Sequence, residues 1–352
     1  MNPIPNTQYP IPNTQYPIPN FNLRISKSTL NLALKLLIAG LLGLAIYRQV
    51  FAKQQVEELW AALVRDFVYP NLLWLVAVIL LAPLNMALEA MKWRQLIGGF
   101  SKLGFWPSFK AVLAGTTIAI FTPNRVGEYG GRVLFVEEGQ GWKAVIATMV
   151  GSLAQLLALL SVGLVGGVYF SVKFLQPEPY LVLVSISLGA AFLGLLFFTY
   201  FNIDVMVPLV KRIPYIERFK KPLRQLTVLR HYHRPELGRA LGLAFLRYFV
   251  YSTQYYLLLQ FYGVPAPWLL GMAGIATIFL VQASVPLPPA MGLLARGEIA
   301  LFVWGFFTQD HVDILAATFS LFVINIAVPA LLGLVFIVQV NILKSIGFEK
   351  GK

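Results

Sequence analysis

Long apolar runs constrain this chain more than any other feature: Asn71–Met91, Ala144–Val172, Tyr180–Tyr200 and Ala316–Val340 each exceed 20 mostly apolar residues. A helix of about 20 apolar residues crosses the hydrocarbon core of a bilayer. Inside that core no water serves the backbone, so a spanning segment must satisfy its own N–H and C=O groups. Of the 352 residues, 58% are hydrophobic and only 12% charged, about half the charged share of a soluble domain. The expected fold class is therefore all-α: a polytopic membrane helix bundle, with about six full spans and two re-entrant or broken segments. Leu30–Tyr47 and Leu241–Tyr262 complete the six spans.

No segment combines the apolar core and small-residue cleavage site of a secretory signal peptide. The chain has no cysteine, which excludes disulfides, thiolate nucleophiles and cysteine metal sites. Its net charge of +13 would suggest nucleic acid in a soluble protein. Here the basic residues gather in loops, where topology and anionic headgroups explain them better, so no nucleic acid is expected. The loop 203–240 holds the largest group, nine of them from Lys211 to Arg239, and Lys92, Arg94, Lys102 and Lys110 form a second group. Placing both groups in the cytoplasm puts both termini there, in a multi-pass protein of the plasma membrane.

Residues 4–20 repeat the heptapeptide Ile-Pro-Asn-Thr-Gln-Tyr-Pro. Proline at that density favours extended chain and offers no core, so residues 1–28 are expected to be a disordered tail. The membrane domain then covers 29–343, with a short cytoplasmic tail at 344–352.

Two apolar segments are interrupted. Phe109–Phe121 runs into Thr122-Pro123-Asn124-Arg125-Val126-Gly127-Glu128, and Arg132 follows. Pro267–Val285 runs into Pro286-Leu287-Pro288-Pro289, and Gly292, Arg296 and Glu298 follow. Neither half of the first interrupted segment is long enough to span upright. Irregular backbone at membrane depth is tolerated only against protein or a water-lined cavity. Two dips from opposite sides keep every basic loop on one side, whereas two full crossings would expose the largest one. Each break carries Pro-x-x-x-Gly, Pro123 to Gly127 and Pro288 to Gly292, with an arginine and a glutamate close by. That repetition is what an inverted repeat with broken helices would leave in a sequence.

Intramembrane ionisable residues mark functional sites by default. The planar forks of Arg125 and Arg132, helped by Arg247 or Arg296, suit a headgroup phosphate. Glu128 and Glu298 would hold those arginines or accept an amino group, and Asn124 would satisfy freed backbone. Pro123, Gly127, Pro288 and Gly292 are the candidate hinges. A structural hairpin neutralised by Arg125 and Glu128 would use the same residues, and Arg247 near a span end could simply snorkel. For Glu89, pairing with Lys92 or Arg94 is the plain reading. No catalytic residue, cofactor or metal site is expected, because no nucleotide loop, catalytic triad pattern or zinc motif occurs.

Residues 109–138, through Thr122-Pro-Asn-Arg-Val-Gly-Glu128, resemble the flippase-like family of the lysylphosphatidylglycerol synthase transmembrane region. Asn71–Arg94, ending Lys-Trp-Arg, is similar to that family's helix before the motif, and Pro286–Glu298 to its later motif, with fewer glycines and an altered gap before Glu298. The likeness covers roughly residues 30–340. It implies a translocase of lipids or lipid-linked intermediates, with anionic membrane lipids as partners. Nothing after Val340 resembles the soluble synthase domain, so synthase activity is not expected. Two alternatives remain open at this stage: a membrane-embedded enzyme acting on a lipid, with Glu128 or Glu298 as acid or base, and a non-catalytic membrane partner of an envelope glycosyltransferase complex.

Overall fold

The computed structural model describes residues 27–50, 56–68, 70–122, 125–205, 207–208, 225–284 and 289–341. The proline-rich repeat, Pro123, Asn124, Pro288 and most of the basic loop lie outside the described residues. Within them the chain is helical, with no strand. The helices are α1 (Lys27–Val50), α2 (Val56–Asp66), α3 (Leu72–Ile97), α4 (Phe105–Ala119), α5 (Gly127–Val133), α6 (Gly141–Phe174) and α7 (Pro179–Phe201). They continue with α8 (Arg234–Phe261), α9 (Trp268–Ser284), α10 (Pro289–Trp304) and α11 (His311–Gln339), the last carrying a π-turn at Val323–Ala327.

Four of these helices, α3, α6, α7 and α11, are long and apolar enough to cross a membrane. With the family result below, they make the chain a multi-pass membrane protein. The 24-residue α1 and the 28-residue α8 are also long enough, but α8 is diluted by polar side chains that face inward. Two boundaries differ from expectation. The stretch between the spans expected at Leu30–Tyr47 and Asn71–Met91 contains the amphipathic α2, whose Ala62 is buried while Trp60 and Val64 are exposed. Helix α8 begins at Arg234, inside the segment read as basic loop. There Pro235 occupies the first turn, and the His233 and Glu236 side chains and backbones cap each other.

Polar contacts tie the helix ends into two sides. On one side Gln95 Nε2 donates to Glu236 O (2.8 Å), Tyr232 OH to Leu96 O (2.8 Å) and Tyr200 OH to Leu237 O (2.9 Å). The end of α3, the end of α7 and the start of α8 therefore meet. Burial pushes the Tyr232 hydroxyl pKa up, so it stays a proton donor to that carbonyl. On the other side Tyr262 OH lies 2.8 Å from Ser320 Oγ, and Arg65 pairs with Asp313.

Between these sides sit two helical hairpins. In the first, α4 enters beside the end of α3 and α5 turns back along it. A Cβ on Gly131 would stand 2.6 Å from Ala114 O, and one on Gly127 2.4 Å from Ile118 O. The 15 residues of α4 rise only about 22 Å, short of the ~30 Å core. Helix α6 then starts beside the end of α3, where Trp93 Nε1 donates to Thr148 Oγ1 at 3.0 Å. The hairpin thus enters and leaves on one side. In the second, α9 and α10 run antiparallel, with Gly274 against Trp304. Trp304 Nε1 donates to Tyr255 OH (3.1 Å) near the end of α8, so this hairpin belongs to the other side.

The packing partners are exchanged as an inverted repeat requires. Helix α3 lies against α8, α4 against α11, and α9 against α6. Both cross-pairs rely on glycine for close approach: Gly333 of α11 abuts Leu113 O and Thr117 of α4, and Gly166 of α6 abuts Ala276 of α9.

Candidate functional site

Glu89 stands eight residues before the end of α3, about 12 Å along the axis at 1.5 Å per residue, and it organises a buried charge cluster. Its Oε1 accepts from Arg132 Nη2 at 2.8 Å. Its Oε2 lies 2.7 Å from Lys92 Nζ and 3.1 Å from Arg247 Nη1, at angles that make these ion pairs rather than hydrogen bonds. Arg132 also pairs with Glu128, and Arg125 Nε lies 3.7 Å from Glu128 Oε2. Gln155 of α6 completes the ring: its Oε1 accepts from Arg247 at 3.2 Å and from Lys92 at 3.4 Å. The Arg132 side chain is 1% exposed, and its guanidinium sits 5.7 Å from the centre of the Trp93 ring.

Local sequence explains these positions. Glu89 and Lys92 are three residues apart, hence neighbours on one face of α3. Glu128 and Arg132 are four apart on α5. Gly115, Gly127 and Gly131 let α5 lie backbone to backbone on α4, which drives Arg132 into the bundle. Thr122 makes the reversal: its Oγ1 accepts from Gly127 N at 2.8 Å and reaches Ile118 O and Ala119 O at 3.2 Å. Arg125 at the tip has φ +59°, a left-handed conformation uncommon for a bulky residue and found most often at functional sites.

The structure brings together four of the sequence-derived candidates: Arg125, Glu128, Arg132 and Arg247. Arg247 does not snorkel; it turns inward to Glu89. Arg296 of α10 is partly buried and joins no ion pair of this cluster among the described residues. Glu298 does not join them. It is exposed, on the same outward face of α10 as Phe302 one turn later, and forms no ion pair among the described residues. The expectation that it would steady an arginine is corrected accordingly, because two residues along a helix separate Glu298 from Arg296 by roughly 200°. Gly127 serves close packing rather than the freedom of a hinge. Gly292 lies in the first turn of α10.

Three members of the cluster were not singled out as site residues from sequence: Glu89, Lys92 and Gln155. Lys92, grouped from the sequence with the basic loops, and its neighbour Trp93 are fully buried, and only Arg94 of that trio is exposed. The available signal was a lone amide, Gln155, in the long apolar run of α6.

Taken together, the buried or largely buried Lys92, Arg132 and Arg247 stand against two carboxylates, Glu89 and Glu128, and Arg125, 46% exposed, reaches Glu128 from the turn. Desolvating an ion costs several kcal/mol even after relaxation, so surplus positive charge at this depth calls for an anion. Buried Nε–H groups of Arg132 and Arg247 have no acceptor among the described residues. The family described as Lysylphosphatidylglycerol synthase TM region matches residues 32–333. No curated protein and no solved structure is similar enough to count as a match.

Proposed function

The chain belongs to the family of the lysylphosphatidylglycerol synthase transmembrane region, and from that premise we propose that it carries phosphate-bearing lipids, or lipid-linked intermediates, between the two leaflets. The observation that supports this most is the cluster of arginine and lysine beside the first hairpin, in excess of its two carboxylates. A charged headgroup cannot cross hydrocarbon unaided, and a lane of fixed guanidinium groups replaces its lost water with charge-assisted hydrogen bonds. The acyl chains stay in the bilayer while the headgroup moves along the lane.

The same geometry weakens the enzymatic alternative. Glu89 and Glu128 are each engaged by two or three cations, which leaves neither carboxylate free to face a substrate. In this reading the basic-loop side faces the cytoplasm, both termini lie there, and the host is the plasma membrane.

The test is transbilayer movement of acyl-labelled phospholipid in proteoliposomes, read by quenching of the outer leaflet. Protein-containing vesicles are expected to exceed protein-free vesicles, and Arg125→Ala to lower the rate by about tenfold, the loss of one charged hydrogen-bonding group. Wild-type rates in Arg125→Ala would remove the arginine lane. Covalent change of the lipid, dependent on Glu128, would instead favour the enzyme.

A further inference from the structure

A membrane lipid cannot enter a headgroup lane end-on, because its acyl chains stay in hydrocarbon; the lane has to open sideways. The turn of the first hairpin is where the cluster comes closest to the outside. Arg125 is 46% exposed there, against 1% for Arg132 and 19% for Arg247. Its backbone N–H donates to Thr122 O at 3.3 Å. Ile120 and Phe121, just before that turn, share a small apolar cluster with Leu42 of α1 and with Phe322, Ala327 and Ala330 of α11. Two helices, α1 and α11, therefore wall the turn.

The two walls are held differently. Helix α11 is fixed to the bundle: Asn325 Oδ1 accepts from Asn85 Nδ2 at 2.7 Å, and Thr117 Oγ1 donates to Ala330 O at 2.7 Å. Gly333 brings it against the α4 backbone. Helix α1 lies along the outside, antiparallel to the second half of α11. Lys35 Nζ donates to Val338 O near the end of α11. Leu34 and Ile38 pack in one cluster with Ile337, and Leu42, one turn further on, reaches Ala327 and Ala330. Among the described side chains of α1, Leu42 alone is buried, whereas Leu32, Leu36, Leu37, Leu41 and Leu44 are exposed. A Cβ on Gly40 or Gly43 would meet nothing within 4 Å. Elements with few buried apolar contacts are the ones that open locally.

Position singles out α1 as well. It lies against α4 of the first hairpin and α10 of the second, as well as against α11. The other sparsely buried spanning helix, α7, packs on α6 and α8 instead.

We propose that the seam between α1 and α11 is the portal through which a membrane lipid brings its headgroup to Arg125, and that α1 is its movable wall. The acyl chains take the place of Leu42 against Ile120, Phe121 and Ala330 while the headgroup turns inward. This rests on the translocase reading above and assigns its point of entry.

The chain has no native cysteine, so the seam can be tied and untied. Leu42→Cys/Ala330→Cys and a second pair on the same seam, Ile38→Cys/Ile337→Cys, are joined in proteoliposomes by a short bis-maleimide with a cleavable disulfide. Movement of acyl-labelled phosphatidylglycerol is expected to fall to the level of protein-free vesicles when either pair is tied, and to return on reduction. Either pair reads out alone if the other variant misfolds. A peripheral control ties α6 to α7 through Leu164→Cys/Gly189→Cys, where a Cβ on Gly189 would stand 3.4 Å from Leu164 Cδ1. That link should leave the rate unchanged. Tied seams that move lipid as fast as untied ones would overturn the portal while leaving the translocase intact. A control link that stops movement equally would do the same, because the effect would then be general stiffening. Failure of both seam pairs to link would also overturn it, since α1 would not lie where a portal needs it. Unmodified protein no faster than protein-free vesicles would remove the translocase reading and the portal with it.

Discussion

Glu89 and Arg132 are 43 positions apart in the chain and joined by a 2.8 Å hydrogen bond inside the bundle. That bond links a spanning helix to the short return arm of a hairpin. It also makes Glu89 the counter-ion of three cations at once. Glu89→Gln should therefore destabilise the protein by about 3–5 kcal/mol, the cost of leaving buried charge uncompensated. Thermal unfolding in detergent would show this as a large drop in midpoint. Removing a cation together with the acid, in Glu89→Gln/Lys92→Met, should recover part of the loss. A double variant as unstable as the two single losses added would contradict the pairing.

The hairpin depends on close backbone approach. Gly131→Ala would bring a Cβ within 2.6 Å of both Ala114 O and Gly115 Cα, whereas Gly130→Ala meets nothing within 4 Å. Gly131→Ala is expected to cost about 1–3 kcal/mol from overpacking and to displace Arg132. Gly130→Ala should unfold like the wild type or slightly later, since alanine favours helix. Equal effects at the two positions, in the same unfolding assay, would argue against the antiparallel packing of α4 and α5.

At the tip, stability and transport should separate. Arg125 has φ +59°, which costs a non-glycine residue roughly 1–2 kcal/mol. Arg125→Gly relieves that strain and loses the guanidinium. It should melt no lower than wild type while moving lipid about tenfold more slowly, the value of one charged contact. A lower melting point with unimpaired transport would reverse both assignments.

Opposite entry of the hairpins can be read by labelling, and the absence of native cysteine makes the experiment clean. Exposed Lys102 and Glu138 flank the first hairpin; exposed Gln309 follows the second. Single cysteines at 102 and 138 should react with an impermeant reagent from the same side, and one at 309 from the other. Labelling of 102 and 138 from opposite faces would mean that the first hairpin crosses.

Much of this architecture was legible because it is written in local pattern. The apolar runs marked the spans, and Pro-x-x-x-Gly with a nearby arginine and glutamate marked both hairpins. What was not legible is non-local. Glu89, next to Lys92, looked like a helix-end ion pair; only the folding of α5 and α8 onto α3 gives it Arg132 and Arg247. Glu298 looked like the partner of Arg296, but positions two apart on a helix point to different faces. The π-turn at Val323–Ala327 is equally hidden. It lies where Asn325 Oδ1 accepts from Asn85 Nδ2 at 2.7 Å and Thr117 Oγ1 donates to Ala330 O at 2.7 Å.

The claim on which the rest depends is that the arginines around Glu89 and Glu128 act on one headgroup. A double-mutant cycle in the proteoliposome assay addresses it directly. Arg125→Ala and Arg247→Ala, singly and together, are compared by the rate of acyl-labelled phospholipid movement. Groups that act as a unit are strongly non-additive, so each single change should remove most of the rate and the double should be little worse than the more severe single. Losses that simply multiply, or rates that match wild type in either single variant, would contradict a shared site.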